Sequence, residues 1–267
     1  MKIGLGLTTY KDIRSPTFAE DVFEALSEAS PKLAPSVASI AGERFPIGNV
    51  EDFSKHWCCE RVFVVRPKYG VAPPPLRADV GIAWRTKGTL AGHGELHLFP
   101  SNDPNAANGL TLHHTYASKV DWVRLFERLV ALLEPSHALL HLFTPRELQR
   151  AGTGRFAFTQ AFSGENHFTA WQASSGDWRR PDPWQREERR RYRFLPDLAW
   201  ANAFGREFHG RYETERLRQG AARLEQLENV DLVYATERID DMRLRPEQFE
   251  DARLRMRSAF AEDVFRT

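Results

Sequence analysis

The chain has 267 residues, 42% of them hydrophobic and 12% aromatic, which is enough apolar content for a packed core and too much for global disorder. Its 37 Lys and Arg stand against 36 Asp and Glu, a formal net charge of +1. That balance argues against binding nucleic acid through bulk positive charge, and equally against acidic mimicry of DNA.

The length admits one large domain or two small ones; the chain is read as a single domain, 1–267, with any subdomain junction near 144–155. The only cysteines, Cys58 and Cys59, are adjacent, so a structural disulfide is not expected and a reducing compartment fits. The N-terminus reaches charge by Lys11 and lacks the apolar centre of a signal peptide. No apolar run exceeds the five residues of Leu129–Leu133, far short of a membrane span. A cytoplasmic protein without membrane contact is expected.

In chain order, Ile3, Leu5 and Leu7 alternate with Gly4 and Gly6, which predicts a first strand over 2–8. Ser15 then caps a helix opening at Pro16, with Phe18, Val22, Leu26 and Ala29 as its buried stripe. Pro31 and Pro35 end it, and residues 31–60 read as irregular. Strands are expected at 61–67, 79–86, 94–99 and 110–116, the last three as an antiparallel meander separated by Gly, Pro and Asn clusters. The strongest helix signal covers 119–133, with Ser118 and Asp121 as its capping box and Val120, Val123, Phe126, Leu129, Val130 and Leu133 on its apolar face. Pro135 stops that helix, and 137–143 returns as a strand.

After a short helix near Pro145, the segments 155–162 and 167–173 read as a strand pair. The stretch 195–208 admits a helix, but alternation favours a strand with Leu198, Trp200, Asn202 and Phe204 on one face and Ala199, Ala201, Ala203 and Gly205 on the other. A late strand follows at 230–237. Pro246 opens the last helix, where Phe249, Ala252, Arg253, Met256 and Phe260 lie near one stripe. Strands clustered between helices define an α+β class, a mostly antiparallel β-sheet packed with helices.

Nine histidines raise the question of a metal. His93 and His97, like His137 and His141, are spaced by four, which on a strand separates them by about 13 Å. No metal and no cofactor are expected. The pattern His-x-Thr occurs twice, at His113/Thr115 and His167/Thr169, and resembles the paired motifs of 2H phosphoesterases, where two imidazoles act as acid and base while hydroxyls hold phosphate. Asn166, before the second copy, departs from that pattern. The run 178–194 carries seven arginines among Trp178, Trp184, Tyr192 and Phe194, but Asp182, Glu187 and Glu188 interrupt it. It reads either as a solvated, ion-paired face or as a surface for a protein partner, with Trp178, Arg179, Arg180 and Trp184 as the anchors. A phosphate-binding glycine loop, a nucleophile elbow and a kinase signature are missing.

Trp200-x-Asn202-x-Phe204-Gly205, preceded by Leu195–Pro196, resembles the Trp-x-Asn-x-x-Gly signature of the immunity protein 52 family. Similar features follow in order along the chain: a first strand and helix, a tryptophan-bearing strand before "KGTLAGHGELHLFPS", and "VYATERIDD" before a terminal helix. Phe208 departs from the family, which carries a tyrosine there. The resemblance implies a cytoplasmic antitoxin without catalytic activity. Its partner would be a cognate type VI secretion effector, a restriction-endonuclease-like nuclease toxin, with no direct contact to nucleic acid. For Asn202 it implies a scaffold role, satisfying backbone groups near the turn at Gly205, with direct toxin contact as the competing role.

Overall fold

The strands form where apolar side chains alternate or run together, and the turns between them carry Gly, Pro and Asn. In chain order they are β1 (Lys2–Thr9), β2 (Val37–Ile40), β3 (Glu43–Pro46), β4 (Cys58–Phe63), β5 (Leu76–Gly81) and β6 (Ala83–Arg85). They continue as β7 (Gly92–His97), β8 (Asn108–Thr115), β9 (His137–Phe143), β10 (Ala201–Gly205), β11 (Arg223–Gln226) and β12 (Val230–Tyr234). The helices are α1 (Pro16–Ala29), α2 (Val50–His56), α3 (Trp122–Leu133), α4 (Thr214–Gly220), α5 (Asp241–Leu244) and α6 (Pro246–Arg257). The computed structural model describes residues 1–64, 75–98, 107–143, 195 and 197–265.

Ten strands make one antiparallel sheet, in the order β11-β12-β10-β9-β1-β8-β7-β6-β2-β3, and β4 with β5 forms a separate antiparallel pair. The fold is thus α+β with a mostly antiparallel sheet. The meander expected over β6, β7 and β8 is present.

Register places Ile3, Leu5 and Leu7 on one face with Leu110 and Leu112 of β8 and with Ala138, Leu140 and Leu142 of β9. α1 and α3 supply the apolar residues that join this core, among them Val22, Leu26, Leu125, Phe126 and Leu129. Each such side chain stabilises the fold by about 1.5–3 kcal/mol when fully buried. At the β6 end, Phe53 of α2 sits 5.2 Å from the Trp84 ring and 5.5 Å from Trp57, whose indole N–H donates to the Ile13 carbonyl at 2.6 Å. Gly94 pairs with Trp84 across the sheet, and a Cβ there would fall 2.1 Å from the indole, so only glycine leaves room for the ring.

The opposite face is covered unevenly. Phe249 of α6 lies 5.7 Å from His141, and Phe260, just past that helix, lies 5.2 Å from Phe204. β9, β10 and β12 are therefore buried on both faces, with every residue buried. This is why "HALLHLF" and "VDLVY" show no polar alternation. β8, by contrast, alternates buried and half-buried along its whole length.

Several sequence expectations are corrected. Residues 31–60 are not irregular: they hold a 3-10 turn (Pro31–Leu33), β2, β3, α2 and the start of β4. These elements are too short to show a period, and α2 buries only Phe53. The expected strand 79–86 is two strands: β5 pairs with β4, while β6 enters the large sheet, with buried Ile82 at the break. α3 starts at Trp122, capped by Asp121, whose carboxylate accepts from the Arg124 N–H at 3.0 Å; Ser118 lies in the preceding turn. The stripe of α1 is Ala19, Val22, Ala25 and Leu26, with Phe18 and Ala29 only half-buried. The helix near Pro145, the strand pair at 155–173 and the junction at 144–155 lie outside the described residues.

Candidate functional site

The Trp200 block is buried throughout. β10 begins at Ala201, and the Trp200 carbonyl just before it accepts from the Ala235 N–H, just past β12, at 2.8 Å. Trp200 is fixed from three sides: its backbone N–H donates to Nδ1 of His141 at 3.3 Å, its indole N–H donates to the Thr236 hydroxyl at 2.9 Å, and its ring meets Tyr234 at 5.5 Å. Asn202 folds its side chain back on Ala199. Oδ1 accepts from the Ala199 N–H at 2.9 Å, and Nδ2 donates to the Ala199 carbonyl at 3.0 Å. An amide is one of the few side chains that can donate and accept at once, which is what a buried, unladdered peptide unit requires. The backbone groups that Asn202 engages are those of Ala199, before the strand, and not groups near Gly205. At 1% exposure the Asn202 side chain is enclosed within the fold.

Phe204 is fully buried among Tyr212 at 5.6 Å, Phe260 at 5.2 Å, and His137 and Phe208, both at 5.9 Å. Gly205 donates its N–H to the Ser136 carbonyl at 2.8 Å, and a Cβ on it would stand 2.3 Å from the Pro135 carbonyl oxygen. The glycine thus permits two backbones to touch. Phe208 is fully buried.

Four of the histidines form two pairs. His137 and His141 are buried on β9 and act in packing, His141 also as the acceptor for Trp200. His93 and His113 pair across β7 and β8, with their rings stacked at 4.8 Å and 12°. Burial, and then the neighbouring His93, push His113 down to about 3. Burial likewise lowers His93, and pushes the adjacent His114 down to about 4 against the bond its ring makes to the Leu90 carbonyl. The Thr115 hydroxyl accepts from Lys2 Nζ at 3.0 Å and donates to the Ala91 carbonyl at 3.3 Å. A low-pKa imidazole is a weak base, and near neutrality it lacks the second ring proton that a general acid gives up. The stacking of His93 on His113 depends on strand register, which His-x-Thr spacing does not reveal.

Among the described residues, no group of three His, Cys, Asp or Glu side chains is placed to hold a metal ion. Cys58 and Cys59 are free, and burial raises the Cys58 thiol to about 11, which makes it a poor nucleophile. No helix among the described residues is long and apolar enough to cross a membrane. His167, Thr169, Trp178, Arg179, Arg180 and Trp184 lie outside the described residues.

Fold and site define an α+β protein whose distinctive tryptophan–asparagine–glycine block is structural. Compared with known proteins, the chain matches no family model, and no curated protein matches it.

Proposed function

We propose that the chain is an inhibitory binding protein of the immunity class, forming a one-to-one complex with a cognate secreted toxin. The expected toxin is a type VI effector with a restriction-endonuclease-like nuclease domain. One observation carries the reading: Trp200, Asn202, Phe204 and Gly205, the residues that resemble an immunity signature, are spent entirely on internal contacts. A signature of that kind specifies a scaffold for presenting a surface. Near-neutral net charge directs attention to aromatic and arginine anchors over bulk charge.

The phosphoesterase reading needs one imidazole protonated to give its proton to the leaving oxygen, and an imidazole with its pKa near 3 weighs against His113 in that role. Co-expression with the neighbouring toxin gene tests the proposal. Rescue of growth together with co-purification of the toxin is expected. A toxin that still kills and does not co-purify would end the immunity reading.

A further inference from the structure

We draw no further inference here: the strongest candidate, the cleft of about 890 Å³ between the end of β8 and α5, is lined by cations of which Arg243 is already paired with Asp240, and nothing in the structure shows what covers the exposed Leu244 beside them.

Discussion

At the scale of single residues, Asn202 carries a burden out of proportion to its size. Replacing it with alanine strands both the N–H and the carbonyl of buried Ala199, and each unsatisfied group costs about 1–3 kcal/mol. Asn202→Ala is therefore expected to destabilise by about 2–4 kcal/mol in denaturant titration, and Asn202→Asp to do no better, since a carboxylate cannot donate to the Ala199 carbonyl. Trp200→Ala is expected to cost about 3–5 kcal/mol through its cavity and the lost bond to Thr236. A variant of either kind that kept wild-type stability would contradict the scaffold role. His114 adds a pH dependence. Its folded pKa, near 4, lies below the ordinary 6.5, so the unfolded chain takes up the proton first. The stability contribution is complete above about pH 6.5 and is lost as pH falls toward 4. Between pH 6.5 and 5 the loss from this one group is about 1.5 kcal/mol. His114→Gln is expected to flatten that part of the stability–pH curve; an unchanged slope would show that the imidazole stays solvated.

Among the elements, the cap of α3 gives the plainest test. Asp121→Ala is expected to cost about 1 kcal/mol, and Ser118→Ala a few tenths at most. The reverse ranking would restore the capping box read from sequence. Long elements were legible because their pattern is local: β1 alternates, α3 repeats its apolar residues at helical spacing, and β9 and β12 are predominantly apolar. What was missed depended on distant partners. α2 is held by Phe53 against Trp57 and Trp84, and Trp84 fits only because Gly94 faces it; none of this is visible within a short window of sequence. The split between β5 and β6 is likewise decided by pairing, not by composition. For the candidate site, burial of Trp200 and Phe204 followed from residue type. The stacked His93 and His113 did not, because strand pairing brings them together, and the turn of the Asn202 amide back onto Ala199, though local, is a choice of side-chain direction that residue type does not fix.

At the scale of the whole molecule, the buried scaffold and the exposed surface are distinct. The block around β10 is buried within the sheet, and the proposed recognition falls to exposed groups, with the arginine–tryptophan run as the expected anchor. Trp178→Ala/Arg180→Ala is expected to leave the melting point nearly unchanged while weakening toxin affinity by about 2 kcal/mol or more. Full affinity in that variant would place the anchors elsewhere. The central claim, that the protein inhibits by binding and performs no chemistry of its own, is tested most directly by growth under co-expression. Wild type and His113→Ala are expected to rescue cells equally from the neighbouring toxin and to co-purify with it. Absence of rescue and of co-purification, with hydrolysis of a cyclic phosphodiester that disappears in His113→Ala, would contradict the account.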